Sequence, residues 1–292
     1  MKNLLIASLL ILAHGSSFGQ DDPPSLAVME TAFGLRTKVE SIALTKEAGF
    51  QGVQLHTGNL DEEGILTLAK PELQQEFLAA AKEHDVEIVS LCAGSLNRLV
   101  IWKEGKQREE GLGIMKQSIA ACKALGCDLL LFPFFGPSNF TKGEEKIAGV
   151  AEFTKEILPY AEEHGVTIGI ESPIPYKRVL ELFERLGNPK NFLMYYDTGN
   201  MMRSGEDIYA AIEDMGNDLI CEIHIKPEGH IHFGKDKTDL PRLAAVLDKI
   251  GYDKSFLFEA RGGVKKGKAG LAAENRKGML KLLSLRRKSD KN

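Results

Sequence analysis

Cysteine is scarce in this chain. Cys92, Cys122, Cys127 and Cys221 are scattered through 292 residues without the paired spacing of a zinc ribbon or a redox dithiol. They lie in apolar runs and read as buried small hydrophobes, with a Cys122–Cys127 bridge as the one conceivable pairing. Excess positive charge is lacking too. With 37 Lys and Arg against 41 Asp and Glu, the net charge is −4, which offers no broad attraction to nucleic acid or anionic lipid. A Gly-rich phosphate turn is missing after the first strand-like run, where TAFGLRTK stands, and this counts against a doubly wound nucleotide fold. Residues 262–268, GGVKKGK, carry the glycine and lysine spacing of a P-loop, but Ala269 occupies the place of the Mg²⁺-binding Ser or Thr. Lys265, Lys266 and Lys268 read as a solvated loop that an anionic substrate group can reach.

The apolar run from Leu4 to Ala13 is broken by His14, Gly15 and Ser16, short of the roughly 20 residues a membrane span requires. Preceded by Met1-Lys2 and followed by the small-x-small site Ser17-Phe18-Gly19, it reads as a signal peptide over residues 1–19, with an uncleaved interfacial anchor as the alternative. The expected mature protein starts at Gln20 and is exported to the periplasm or medium, with no membrane anchor after cleavage. One catalytic domain is expected over residues 26–284, and the last eight residues, LRRKSDKN (285–292), are expected as a frayed charged tail.

At 43% hydrophobic content the chain can bury a large core, and an α/β barrel of typically about 250 residues would use nearly all of it. Strand-like runs begin near Leu26, Gln51, Val86, Cys127, Val166, Asn191, Leu219 and Ser255, separated by helical patterns long enough for right-handed crossovers. The helical patterns end alike, in KEAGF, KEHDV, KALGC, EEHGV, ERLGN and DKIGY, which place Gly49, Gly126, Gly165, Gly187 and Gly251 at left-handed caps. Eight such units predict a closed TIM (β/α)8 barrel forming a single domain.

Four of the runs finish in residues that bind hard metal ions: VTIGIES at Glu171, NFLMYYDTGN at Asp197, ICEIHIKP at His224 and SFLFEA at Glu259. The C-terminal tips of barrel strands are where α/β barrels do chemistry. Three carboxylates and one imidazole favour a single divalent ion, Mn²⁺, Mg²⁺, Co²⁺ or Zn²⁺, over any thiolate-preferring metal. In their order, the segments IGIESP, YYDTGN, EIHIKP and FLFEA resemble the xylose isomerase-like superfamily of TIM barrels. The likeness is to the sugar isomerases and epimerases related to tagatose 3-epimerase and hydroxypyruvate isomerase, and in layout it extends over nearly all of the chain after residue 25.

The resemblance implies a metal-dependent isomerase or epimerase, of the ketose epimerase or aldose-ketose type, acting on a small sugar or sugar phosphate, with Mn²⁺ as first choice of ion. It assigns Glu171 and Glu259 to opposite sides of the substrate as acid and base, passing through an enediolate, while Asp197 and His224 also hold the ion. Many relatives carry a His three residues after the metal-binding Asp, whereas this chain has Asn200, which keeps hydrogen bonding but loses charge and proton transfer. That departure keeps two other readings open: an exported sugar-binding barrel without turnover, and a metal-dependent hydrolase or lyase on a sugar derivative. The scarcity of histidine counts against the apurinic endonuclease branch with its three-metal cluster.

Among the remaining polar residues, His84 and His164 fall in helix-end turns and read as structural. His56 at the tip of the second strand, Asn200, Lys226, His230 and Arg261 are the substrate-binding candidates, and His232 lies near enough to His224 for a supporting contact. His230 stands where related epimerases tend to carry a substrate-binding basic residue. Three carboxylates converging without an ion would repel one another, so Glu259→Gln is expected to leave the metal-free barrel at least as stable. Oligomeric state is left open, a homodimer being compatible with the sequence.

Overall fold

The structure, a computed structural model, describes residues 25–227, 232–260 and 269–289. Eight parallel strands form a closed barrel in chain order: β1 (Leu26–Met29), β2 (Gly52–His56), β3 (Glu87–Cys92), β4 (Leu129–Pro133), β5 (Thr167–Glu171), β6 (Phe192–Asp197), β7 (Ile220–Ile225) and β8 (Phe256–Phe258). Closure is made by β8 on β1, with Leu26 opposite Phe256, Ala27 opposite Leu257 and Val28 opposite Phe258. Every strand starts within two residues of its expected position.

Helices α1 (Glu40–Glu47), α2 (Pro71–His84), α3 (Lys106–Leu125), α4 (Glu144–Glu163) and α5 (Tyr176–Arg185) each follow one strand. A pair, α6 (Thr198–Arg203) and α7 (Ile208–Met215), follows β6, and α8 (Leu240–Lys249) and α9 (Gly270–Ser289) follow β7 and β8. The five cap glycines expected from sequence have φ between 63° and 83°. At the end of α2, where KEHDV has no glycine, Asp85 takes the left-handed conformation with φ 51°.

Two apolar shells result from the period-two alternation of strand side chains. Val28, Leu130, Phe132, Ile168, Ile170, Ile223, Phe256 and Phe258 point outward into the layer shared with the helices. Ala27, Met29, Cys92, Leu131, Tyr195 and Leu257 fill the lumen. The lumen floor is therefore packed, and chemistry is confined to the strand tips.

The C-terminal helix runs through Ser289, and Arg286 within it donates to Asp248 Oδ1 at 2.7 Å and to the Tyr252 carbonyl at 2.6 Å. These two acceptors tie the start of the charged segment to α8 and the chain after it. All four cysteines are free thiols, so the Cys122–Cys127 bridge does not form. Among the described residues, no helix is long and apolar enough to cross a membrane. The expected signal peptide, residues 1–19, lies outside the described residues.

Candidate metal centre and substrate mouth

Alternation along four successive strands puts one of the four candidate residues at the last inward position of each. Gly169 and Glu171 on β5, Tyr195 and Asp197 on β6, Glu222 and His224 on β7, and Leu257 and Glu259 at the end of β8 share the lumen side. A Cβ at Gly169 would come within 2.7 Å of the Tyr195 ring and of Cys221 Sγ, so glycine makes room for the tyrosine beneath the site. The Tyr195 ring in turn stands edge-on to the His224 imidazole, with centroids 4.5 Å apart. Its hydroxyl joins a buried polar set of Gln54, Ser90 and Glu222, which holds the floor of the site in place.

Glu171, Asp197, His224 and Glu259 are all buried, and each offers a ligand atom such that the four lie within 4.8 Å of one another. His224 Nδ1 is 3.2 Å from Glu259 Oε2, 3.8 Å from Glu171 Oε1 and 3.9 Å from Asp197 Oδ2. Neither imidazole nitrogen has a hydrogen-bond partner, and neither does Glu259 Oε2. Buried polar atoms are ordinarily satisfied, so orphaned polar atoms converging on one point fit a site for a cation. The donor set of oxygens with one imidazole suits the divalent ions expected from sequence. This test favours a metal, and Glu171, Asp197, His224 and Glu259 are the residues that would hold it.

Asp197 divides its carboxylate between two tasks. Oδ1 caps α6 by accepting the Asn200 N–H at 2.8 Å, which leaves Oδ2 for the site. Asn200 is buried and reaches two of the ligands, its Nδ2 donating to Glu171 Oε1 at 2.9 Å and Asp197 Oδ2 at 2.7 Å. Its carbonyl oxygen accepts from Arg203, one helical turn on. Lys226 bends inward and donates to Glu259 Oε1 at 2.7 Å and to Asp197 Oδ2 at 3.1 Å.

Without the ion, these cations set the electrostatics. Burial disfavours the charge on His224, but the neighbouring carboxylates of Glu171 and Glu259 outweigh it and raise the imidazole to about 10. Asp197 is pushed up to about 8, mainly by burial and further by Glu259 and Glu171, with Lys226 opposing. Burial acts the same way on Glu259, yet His224 and Lys226 beside it hold its carboxyl well below the usual range. Lys226 is raised despite burial, by Asp197 and Glu259.

The other sequence candidates divide. His56, at the tip of β2, is buried on the β1–β3 side of the mouth, with Nδ1 3.4 Å from Glu30 Oε1. His230 and Arg261, and the lysines of GGVKKGK, lie outside the described residues. His232 pairs with Glu274 of α9 at 3.0 Å. His164 closes α4, its Nδ1 2.9 Å from the Tyr160 carbonyl, and His84 ends α2. Sequence reasoning missed Glu30, Arg203 and the polar floor. Arg203 had a legible signal in its spacing of three from Asn200, whereas Glu30 gave none beyond its place after an apolar run.

A family model described as xylose isomerase-like TIM barrel matches residues 42–282. The chain belongs to that family. Within sugar-modifying relatives, a 2-epi-5-epi-valiolone 7-phosphate 2-epimerase from Actinoplanes sp. is 26% identical over 186 residues, which is 64% of this chain. The match spans 66% of that epimerase, just under two thirds of its length. Among solved structures, L-ribulose 3-epimerase superposes with a TM-score of 0.75 at 18% identity, covering 91% of this chain and 97% of its own. The IolI protein, solved with a bound zinc atom, gives 0.68 at 16% identity, covering 89% and 98%. At these identities the likeness is one of fold, and the family's barrel is the architecture found here.

Proposed function

We propose that this xylose isomerase-like barrel is a metal-dependent isomerase that moves the proton on a carbon beside the carbonyl of a ketose or ketose phosphate. The observation that carries the reading is the convergence of Glu171, Asp197, His224 and Glu259, with orphaned ligand atoms, at one end of the barrel. The epimerases among its relatives support the reaction class. A divalent ion, when bound, supplies positive charge that polarises the substrate carbonyl and makes the neighbouring C–H more acidic.

The chain's own residues provide the rest. Glu171 on β5 and Glu259 on β8 enter the mouth from strands separated by β6 and β7, so a substrate over His224 meets a carboxylate on each side. One glutamate accepts the proton, leaving an enediolate on the substrate, and the other returns a proton to the opposite face. Asn200 steadies Glu171 through a neutral amide, and Lys226 steadies Glu259 through an ammonium. Asn200 donates where a histidine would stand in many relatives, a positioning role that requires no proton transfer.

Deuterium uptake from D₂O into keto sugars, run beside elemental analysis, tests the reading. About one divalent ion per chain is expected, lost in His224→Ala, with Glu171→Gln and Glu259→Gln each slowing exchange at least about 10²-fold, as loss of a general base does. Three ions per chain, near-normal exchange in either glutamine variant, or sugar binding without any exchange would each reject it.

A further inference from the structure

A cavity of about 470 Å³ opens on the β1–β3 side of the mouth. Arg36 and Lys38, from the segment after β1, and Arg98, from the turn after β3, line it, and no carboxylate does among the described residues. In a chain of net charge −4, with three carboxylates on the other side of the same mouth, this segregation of charge is pronounced. Neither Arg36 nor Lys38 has an ion-pair partner among the described residues, whereas Arg98 pairs with Glu110 at 3.4 Å and donates to Asn59 Oδ1 at 3.0 Å. The cavity is therefore left with uncompensated positive charge.

Its inner wall is built of buried donors. His56 and Ser95 are 7% and 8% exposed, and Ser95 Oγ has no hydrogen-bond partner. Behind His56, the fully buried Glu30 is locked by the backbone N–H groups of Thr37 and His56, both donating to its Oε1 at 2.7 Å. The same oxygen lies 3.4 Å from His56 Nδ1, and His56 lines the cavity. Its ring lies under Gly94, where a Cβ would come within 3.0 Å of His56 Cδ2.

We propose that this cavity seats an oxyanion carried by the substrate, a phosphate monoester or a carboxylate at the end remote from the reacting carbon. The inference rests on the carboxylate cluster being the reacting end. Cys92, at the tip of β3, links the two places: its Sγ is 3.7 Å from the Cβ position of Gly94, and its thiol, pushed up first by burial, is raised further by Glu171 and Glu259 and lowered by Arg36. An anionic group is attracted by the arginine half of the mouth, while the carboxylate cluster, balanced by His224 and Lys226, offers it no comparable attraction, so charge fixes which way round the substrate enters. A neutral sugar gains little from three solvated cations.

Calorimetry on the full chain, with fructose, fructose 6-phosphate, fructuronate and inorganic phosphate as probes, tests this. The phosphate and carboxylate sugars should bind at least about tenfold more tightly than fructose at low salt, and the tighter of the two names the oxyanion. Arg36→Ala and Arg98→Ala should each erase most of that preference and weaken inorganic phosphate, Arg36→Lys should restore part of it, and fructose should be unaffected. Equal affinity for fructose and both charged sugars, loss of fructose binding in step with the others, or failure of every probe to bind would overturn the proposal. Anion-selective binding without deuterium exchange on any ketose would instead retain the oxyanion seat and reject the catalytic reading.

Discussion

Glu259 sits beside two cations, Lys226 and His224. Three carboxylates in a cluster imply repulsion, and from that the glutamine variant should be no less stable without metal. In the structure Glu259 instead accepts from Lys226 at 2.7 Å and faces His224 at 3.2 Å, and these two cations hold its carboxyl well below its ordinary value. Hydrogen bonds to charged groups are worth about 1.5–3 kcal/mol, so Glu259→Gln should destabilise the metal-free protein by a similar amount. Thermal melts in chelator read this directly. A variant melting at or above the parent would restore repulsion as the dominant effect. The convergence of Glu171, Asp197, His224 and Glu259 was legible because each ends an apolar run in a polar residue. The inward turn of Lys226 was not, because a lysine at a strand tip reads equally well as solvated or as reaching for substrate.

Elements were legible where local chemistry repeats and obscure where a single contact decides. Buried strands announced themselves as apolar runs, and five glycines marked helix ends at left-handed φ. Asp85 took the same role without glycine, and α6, only six residues long, gave no periodicity to read. That short helix is nonetheless what turns Asp197 and Asn200 into the site. It is pinned to β7 by Thr198 Oγ1 donating to the His224 carbonyl at 3.0 Å, and by Gly199, where a Cβ would fall 2.2 Å from the Lys226 carbonyl oxygen. Backbone cannot yield as a side-chain tip does, so Gly199→Ala must push α6 off β7. A cost of about 1–3 kcal/mol is expected, accompanied by weaker metal binding. Gly113, inside α3, has nothing within 4 Å of its Cβ position, so Gly113→Ala should be stabilising by about 0.5–1 kcal/mol and leave metal affinity unchanged. Paired melts and metal titrations separate the two. Unaltered metal affinity in Gly199→Ala would mean that α6 does not set the ligand geometry.

At the scale of the whole molecule, the mouth ties folding to protons and to metal. The folded metal-free protein sets three carboxylates against His224 and Lys226, and a proton on Asp197 removes the remaining negative charge. His224 titrates near 6.5 when unfolded but is raised to about 10 when folded, and Asp197 moves from 3.8 to about 8. Above pH 6.5 the folded state thus keeps protons that the unfolded state has lost, so stability falls as pH rises. Glu259, whose value is lowered, loses stability only as pH falls below its unfolded value of 4.5, and adds no slope in this range. Over pH 6.5 to 8.5 His224 and Asp197 each contribute on the order of 2 kcal/mol to the loss, about 4 kcal/mol together, since one unit of differential protonation is about 1.4 kcal/mol. A divalent ion held by the four residues would take the places of these protons and bind only the folded state, so the stability it adds should grow over the same interval. Melts of the metal-free protein should therefore fall between pH 6.5 and 8.5, with the shift produced by a fixed Mn²⁺ concentration widening. A metal-free melting temperature that holds or rises across that range, or a metal shift that does not change with pH, would show that the protons reside elsewhere and that the four residues do not act as one charge-balanced site.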